Sequence, residues 1–316
     1  IWQMIPMIDS GLLRMIFVNP TADEDDVARM QGEGLTDEEI EESREDVGGR
    51  KKNFLDFDGD FFAEVSDESS RINVKGICAA AVAENRDCTW AELTEDPVYL
   101  QLQALMSGQV KCAEAANQMM NSDGITQTGG DPIEIIPPEG DDEDNAQWLY
   151  ERDIEWEALV GNLADWVDAG TNQAYRGGYE DSLYDTLDNP YKAKNAPFDT
   201  EGELRLVEGW HRDDVWKRFG NRITVYGSGG VNVNTAECPV LWALVKSGMD
   251  GNVGDQQIAQ GVANIMTNRE LVPYNDANTL KNELTALGLP VRDDFGASTG
   301  IPVSFKAELF RVKAGG

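Results

Sequence analysis

The sequence is poor in the residue types that catalysis and nucleic-acid binding most often use. It contains one histidine, His211, and its four cysteines form no CxxC pair, so a zinc site is not expected. No apolar run approaches the roughly 18 residues that span a bilayer. Basic residues are also scarce, because 26 Lys and Arg stand against 58 Asp and Glu and the net charge is −32. This charge repels phosphate backbones and anionic membrane surfaces, so neither is an expected partner.

The excess of acidic residues has a positive consequence. Clustered carboxylates repel one another until a cation or a proton neutralises them, so the composition favours cation binding. The alternative is that the acidity serves only solubility. The four cysteines are Cys78, Cys88, Cys112 and Cys238. Three of them fall close together, which suits one disulfide in an oxidising compartment, with buried free thiols as the alternative. The three full pairings remain open, and so does one bridge with two free thiols.

The first eighteen residues have a helical apolar period. The stripe consists of Ile1, Ile5, Ile8, Leu12 and Ile16, and it predicts an amphipathic helix over 1–18 that ends at the Asn-Pro pair of 19–20. The proline at position 6 is expected to kink this helix. The highly charged segment 21–52 is predicted to be an exposed loop with a short helix over 36–46.

Strand patterns come next and helical patterns follow them. A hairpin is predicted at 53–57 and 60–66 around Asp58-Gly59, a favoured turn pair, with a third strand at 71–75. From residue 79 the period is helical, and a polar loop is predicted at 121–145. Helices are predicted at 146–167, 200–207, 212–219, 235–246, 254–267 and 277–287, and strands at 223–226, 231–234 and 302–312. This order indicates an α+β domain interrupted by a helical one.

The most specific chemical pattern is acidic. Asp165 and Asp168 are three residues apart at a predicted helix end, so both carboxylates can face one way. Glu180 and Asp181 follow after a glycine-rich loop that is long enough to fold back on them. Calcium prefers six to eight oxygen ligands of this kind. The alternative is a solvated acidic surface.

Other sequence patterns give weaker evidence for a function. The acids at 56, 58 and 60 do not form an EF-hand loop, because the glycine lies between the second and third acid. Segments 204–215 and 240–287 have the rhythm of helix-hairpin-helix units but lack basic residues placed beside phosphate. His211 has no catalytic partner at a known spacing. A nucleic-acid-binding protein and a hydrolase that uses acidic residues therefore remain the alternative functions.

Several motifs together resemble one known family. DESSRINV at 67–74, NLADWVD at 162–168, GYEDSLY at 178–184 and VNVNTA at 231–236 resemble motifs of the type II secretion minor pseudopilins of the K type, the GspK family. Segments 189–198 and 203–209 are similar to the stretches between them. The matches keep the family's order from about residue 54 to the end of the chain.

The resemblance implies a fold. It predicts a pseudopilin domain, with a long N-terminal helix and an antiparallel sheet, that carries a large inserted helical domain with helix-hairpin-helix or SAM-like units. We expect the pseudopilin domain at 1–77, comprising the helix 1–18, the hairpin 53–66 and the strand 71–75. The inserted helical domain is expected at 78–290, and the closing strands at 291–316.

The resemblance also implies a function without catalysis. It predicts a structural subunit that initiates or caps the tip of the pseudopilus and assembles with I-type and J-type minor pseudopilins. The full-length protein is expected in the periplasm, anchored in the inner membrane by an N-terminal segment absent from this chain. Partner helices are expected to pack on the stripe of Ile5, Ile8, Leu12 and Ile16. Calcium is expected at Asp165, Asp168, Asn172, Glu180 and Asp181, with Asn172 included because Gly170 occupies the place of a further family acid.

Overall fold

The computed structural model describes residues 62–112 and 143–315, together with three short strands nearer the start of the chain. It combines helix and sheet, as predicted. The chain divides into a larger compact unit, Asp67–Leu309, and a smaller one that joins Ile1–Ser66 to Phe310–Gly316. These boundaries differ from the predicted 77/78 and 290/291. Segments 67–77 and 291–309 therefore belong to the larger unit and not to the smaller one.

The smaller unit contains a three-stranded sheet in the order β1-β4-β11. Its strands are β1 (Met7–Asp9), β4 (Phe62–Asp67) and β11 (Phe310–Gly315), and β1 runs antiparallel to β4 with Ile8 opposite Ala63. The predicted helix 1–18 is therefore wrong at these three residues. Pro6 cannot donate a helical hydrogen bond, and the edge of β4 offers the backbone groups of 7–9 partners in another strand.

The apolar stripe that suggested the helix is only partly described. Ile8 lies in β1, and Ile5, Leu12 and Ile16 lie outside the described residues. The acidic segment 21–52 and most of the loop 121–145 also lie outside them. Partner binding by this stripe stays a prediction.

The predicted hairpin pairs differently. Strands β2 (Asn53–Phe54) and β3 (Phe57–Asp58) pair antiparallel with Phe54 opposite Phe57. Asp58 pairs with Asn53 in this ladder, so it lies in a strand, and Gly59 lies outside the described residues. Among the described strands, β4 pairs with β1 and β11 and not with β2 or β3, so the predicted pairing of 53–57 with 60–66 is wrong. Pairing between strands here outweighs the preference of Asp58 for a turn.

The larger unit is mainly helical. Its described helices are α1 (Ala79–Glu84), α2 (Trp90–Leu93), α3 (Pro97–Met106), α4 (Asn145–Tyr150), α5 (Trp156–Val167), α6 (Glu201–Leu204), α7 (Asp213–Phe219), α8 (Cys238–Ser247), α9 (Asp255–Leu271) and α10 (Ala277–Ala286). The predicted helix 146–167 is two helices, because the chain breaks at Asp153, which has a positive φ of 54°. No helix among the described residues is both long and apolar enough to cross a membrane.

The centre of the larger unit is α8. Val240, Leu241, Trp242, Ala243, Leu244 and Val245 are successive residues of this helix and each is at most 1% exposed. A helix that is apolar all round has to be buried, and α3 and α9 pack against it. Each large apolar side chain buried in this way stabilises the fold by about 1.5–3 kcal/mol. The disulfide Cys112–Cys238 attaches the first residue of α8 to the segment that follows α3.

Short ladders join distant parts of the larger unit. β5 (Ile72–Asn73) runs parallel to β8 (Ile223–Thr224), and β9 (Val231–Asn232) runs parallel to β10 (Val303–Ser304). A third ladder pairs β6 (Gln109–Val110) with β7 (Glu143–Asp144). The predicted strand 71–75 therefore does not extend the sheet of the smaller unit. The predicted strand 302–312 is likewise two strands, β10 in the larger unit and β11 in the smaller one.

Two of the recognised sequence motifs meet at a buried carboxylate. Asp67, from the motif at 67–74, accepts hydrogen bonds from Asn232 Nδ2 at 2.8 Å and Thr235 Oγ1 at 2.6 Å. Both donors belong to the motif at 231–236. These motifs therefore serve the packing of the larger unit.

Candidate metal centre

Helix α5 carries the first two acids of the centre. Asp165 lies in its last turn and Asp168 caps its end, and their side chains are almost completely buried. Asp165 Oδ1 accepts a hydrogen bond from the Ala174 amide at 2.8 Å. Asp168 accepts one from the Cys88 amide at 2.7 Å and one from the Gly170 amide at 3.0 Å. Backbone amides therefore fix both carboxylates without any basic side chain.

The loop after α5 returns Glu180 to the same place. Asn172 and Tyr179 form an isolated antiparallel bridge, and the Glu180 amide donates to Thr171 O at 3.1 Å. The loop closes through Gly177 and Gly178, whose φ angles of 68° and 99° lie in the region that favours glycine. The result is a tight hairpin that buries the Glu180 side chain beside the end of α5.

A further acid, Asp87, comes from a segment that the sequence analysis did not single out. Asp87 Oδ1 accepts hydrogen bonds from the Thr171 amide at 2.9 Å and the Asn172 amide at 3.2 Å. A Cβ atom on Gly170 would lie 1.6 Å from the same oxygen. The Asp87 carboxylate therefore occupies the space of the missing side chain at 170, where the resemblance places a further acid.

Three carboxylates converge at this point. Asp87, Asp168 and Glu180 each offer one oxygen, and these oxygens all lie within 4.8 Å of one another. Glu180 Oε1 is buried and has no hydrogen-bond partner among the described residues. Two unit charges at this separation repel by about 3 kcal/mol at an effective dielectric constant of about 20. Three ionised carboxylates at these positions therefore require a cation, or a proton shared among them.

The pKa values of these acids are shifted by burial and by the same repulsion. Burial, followed by the charge of Asp168, raises the pKa of Glu180 to about 8. Burial also raises the pKa of Asp165 to about 7 and raises the pKa of Asp168. Partial burial opposes the ionisation of Asp87, but hydrogen bonds from Asn172 and Thr171 outweigh it and hold its pKa below the usual value. Asp87 is thus the acid of the cluster that the fold keeps ionised most readily.

The structure brings together three of the five predicted ligands and places two differently. Asp165, Asp168 and Glu180 are neighbours in the buried cluster. Asp181 forms an ion pair with Lys192 Nζ at 2.8 Å. Asn172 donates its side-chain amide to Asp87 Oδ2 at 3.1 Å, so it positions Asp87 in this arrangement. No pattern in the sequence singled out Asp87, and the signal that could have found it is the adjacent Cys88, whose disulfide partner the sequence does not specify.

The cluster has an opening to solvent. A cavity beside it is lined by residues that include Thr171, Glu180, Asp181, Lys192 and Asn195. Asp181 and Lys192 form their ion pair at this opening and both are partly exposed. A cation therefore has a path to Glu180, which a buried site needs in order to load.

The turn at Gly209 supports α5 from another side. A Cβ atom on Gly209 would lie 2.4 Å from Leu159 Cδ2, and the residue has a φ of 83°. The Trp210 side chain is completely buried and donates its indole N–H to Leu159 O at 2.9 Å. His211 lies partly exposed beside Glu208, at 3.8 Å. This segment, predicted to be a helix-hairpin-helix turn, therefore packs against the helix that carries Asp165 and Asp168.

These features define the class of the protein as a mixed α and β chain whose larger, helical unit holds a buried cluster of carboxylates suited to a cation. Residues 149–227, which contain α5, the returning loop and the Gly209 turn, match the family model described as "Type II secretion system (T2SS), protein K". The resemblance found in the sequence is confirmed over this segment, which matches a type II secretion protein K domain.

Two individual proteins are similar to this chain. The type II secretion system protein K of Pseudomonas aeruginosa is 34% identical over 109 residues, which are 33% of this chain and 32% of that protein. The match thus spans about one third of the length of this relative. A chain in the crystal structure of the GspK-GspI-GspJ complex from enterotoxigenic Escherichia coli superposes with a TM-score of 0.48 and 14% identity. That superposition covers 91% of this chain and 88% of the other.

Proposed function

We propose that this chain is a K-type minor pseudopilin, a structural subunit without catalysis at the tip of the type II secretion pseudopilus. There it assembles with I-type and J-type minor pseudopilins and caps or initiates the pseudopilus during protein export. The proposal is supported by the protein K domain at 149–227 and by the family motifs on both sides of it. The net charge of −32 argues against the alternative of a nucleic-acid-binding protein.

The proposed location is the periplasm, with the full-length protein anchored in the inner membrane. Two disulfides, Cys78–Cys88 and Cys112–Cys238, support an oxidising compartment, and the described residues contain no free cysteine.

The proposed cofactor is calcium, held by Asp87, Asp168 and Glu180, with Asp165 beside them. Hard carboxylate oxygens suit this ion, and the orphaned Glu180 Oε1 is the observation that supports the proposal best. When bound, calcium supplies positive charge that offsets the mutual repulsion of the acids. Asp168 and Asp87 lie outside the loop 169–180, and Glu180 lies at its end. Neutralising the cluster therefore holds the loop against α5.

The metal assignment is tested by thermal unfolding in excess calcium and in chelator, with mass spectrometry of the native protein. We expect one bound calcium and a higher melting temperature in calcium. Glu180→Gln should remove most of that difference, because it removes the orphaned carboxylate. Asp213→Asn is the matched control, since Asp213 is an exposed acid paired with Arg205. Equal melting curves in calcium and chelator for the unaltered chain would reject the site.

The assembly is tested by mixing the purified chain with the periplasmic domains of I-type and J-type minor pseudopilins. Light scattering coupled to size-exclusion chromatography should show a complex of three different chains. A major pseudopilin domain from the same system serves as the control. If the chain elutes alone with every partner at tens of micromolar concentration, the proposed role at the tip is wrong.

A further inference from the structure

A disulfide loop lies directly against the candidate metal centre. Cys78 and Cys88 are bonded and buried, and the ten-residue separation encloses α1 and Asp87. The structure fixes both ends of this loop. The Cys78 amide donates to Asp96 Oδ2 at 3.0 Å, and immediately after Cys88 a capping box formed by Thr89 and Glu92 starts α2.

The end of this loop contacts both other parts of the centre. The Asp87 carboxylate accepts hydrogen bonds from two amides of the returning loop, those of Thr171 and Asn172. The Cys88 amide donates to Asp168 Oδ2 at 2.7 Å, at the end of α5. Two consecutive residues therefore supply one carboxylate of the cluster and orient a second. The Cys78–Cys88 bond links these two residues covalently to the residue that precedes α1.

We propose that the Cys78–Cys88 disulfide controls cation binding, so that the centre is complete only in the oxidised protein. This inference rests on the proposed metal centre. With the disulfide closed, Asp87 is held beside Asp168 and Glu180. With it open, the covalent link between the two ends of 79–87 is lost, and Asp87 and the Cys88 amide are held in the centre by hydrogen bonds alone. Ordering Asp87 then costs conformational entropy each time a cation binds.

The chemical step is thiol–disulfide exchange. A dithiol reductant donates two electrons to the Cys78–Cys88 bond, which breaks to give two thiols, and the reductant leaves as a cyclic disulfide. An external disulfide oxidant reverses the step and takes up the two electrons. In an oxidising compartment the cation is therefore captured only after this pair has formed. The disulfide and the cation are thermodynamically linked. If the disulfide increases the affinity for the cation by a given factor, a bound cation shifts the reduction equilibrium of the disulfide toward the oxidised form by the same factor.

The first test is a calorimetric calcium titration of the full chain and of two double variants. Cys78→Ser/Cys88→Ser should bind calcium at least tenfold more weakly than the unaltered chain. Cys112→Ser/Cys238→Ser is the matched control, because that disulfide is attached to α8 and not to the segment that carries Asp87, and its affinity should not change. If both double variants bind as the unaltered chain does, the disulfide serves stability alone and the inference is overturned.

The design separates the two proposals. Absence of calcium binding by the unaltered chain would reject the metal centre and this inference together, whereas binding that is indifferent to Cys78–Cys88 rejects only the inference. Adding Asp87→Asn should weaken binding about tenfold in the unaltered chain and much less in the Cys78→Ser/Cys88→Ser background. Equal effects in the two backgrounds would show that the disulfide does not act through Asp87 and would overturn the inference.

A second measurement applies if the Cys78→Ser/Cys88→Ser variant does not fold. The unaltered chain is exposed to a dithiol reductant in calcium and in chelator, and newly formed thiols are alkylated and located by mass spectrometry. At equilibrium with the reductant, calcium should lower the ratio of reduced to oxidised Cys78–Cys88 about tenfold relative to that of Cys112–Cys238. Equal protection of both disulfides, or of neither, overturns the inference.

Discussion

Two regions of the larger unit each bury a carboxylate from a family motif, but they surround it differently. Asp67 accepts hydrogen bonds from the Ser69 amide at 2.9 Å and from the side chains of Asn232 and Thr235. Glu180 has an orphaned oxygen among the described residues, and burial, followed by the charges of the neighbouring acids, raises its pKa to about 8. The two sites differ in what balances the charge and not in how deeply the residue is buried.

The difference separates a structural carboxylate from a ligand. At Asp67, fixed dipoles replace the lost hydration, so the folded protein needs no ion there. At the metal centre the available amides serve Asp87, Asp165 and Asp168, and Glu180 Oε1 has none. Burial alone therefore does not distinguish a structural carboxylate from a metal ligand. The hydrogen-bond donors around the carboxylate have to be counted as well. Substitutions at the two sites should therefore differ in size of effect and in dependence on calcium.

The largest effect is expected at Asp67. Asp67→Ala should lower the free energy of unfolding by about 3 kcal/mol, because it leaves the buried polar groups of Asn232 and Thr235 without their acceptor. The loss should be the same in calcium and in chelator, as measured by denaturant unfolding. A loss that appears only in calcium would mean that Asp67 is coupled to the metal centre, contrary to the distinction drawn here.

At the metal centre the expected effect depends on calcium. Asp168→Ala should lower stability in calcium and abolish the difference between calcium and chelator. A ligand present at 100 times its dissociation constant stabilises the folded state by about 2.7 kcal/mol, which sets the size of the expected loss. Melting curves of the variant and of the Asp213→Asn control in both conditions provide the measurement. A difference that survives in Asp168→Ala would remove this residue from the site.

A smaller effect is expected from steric disturbance at Gly170. Gly170→Ala forces a Cβ atom against the Asp87 side chain and should cost about 2 kcal/mol in calcium, with weaker calcium binding. Gly76→Ala is the control, because a Cβ atom there meets nothing within 4 Å. Calcium titration and melting of both variants measure the effect. Unchanged binding in Gly170→Ala would show that Asp87 is not required where the structure places it.

The smallest effect concerns pH in the metal-free protein. The folded pKa of Glu180, about 8, lies above its ordinary value of 4.5, so the folded state holds this proton more tightly than the unfolded state. Stability in chelator should therefore fall as pH rises from about 4.5 to about 8, by on the order of 1 kcal/mol. Melting at pH 5.5 and 8 should show the fall, and Glu180→Gln should reduce it. A slope that Glu180→Gln leaves intact would assign the titration to another group.

Part of the fold and of the candidate metal centre could be predicted from the sequence. The motif residues Asp165, Asp168 and Glu180 were predicted as one acidic cluster, and the structure places them together. Several helices were also predicted within a few residues of their observed ends, because caps and apolar periodicity act over one or two turns of chain. The helix 1–18 fails at Met7–Asp9 for a related reason, since a short apolar run cannot distinguish a helix from a strand that finds a partner.

Local patterns in the chain were sufficient to predict the acidic charge, the family motifs, the helical periods and the acids on either side of the loop at 169–180. All of these are local patterns, set by side chains a few residues apart. Tertiary structure alone decided the disulfide pairing, the parallel ladders and the entry of Asp87 into the space beside Gly170. Asp87 is more than eighty residues from its hydrogen-bond donors at Thr171 and Asn172. Proximity between such distant positions comes from the packing of the whole unit, which no short pattern in the chain encodes.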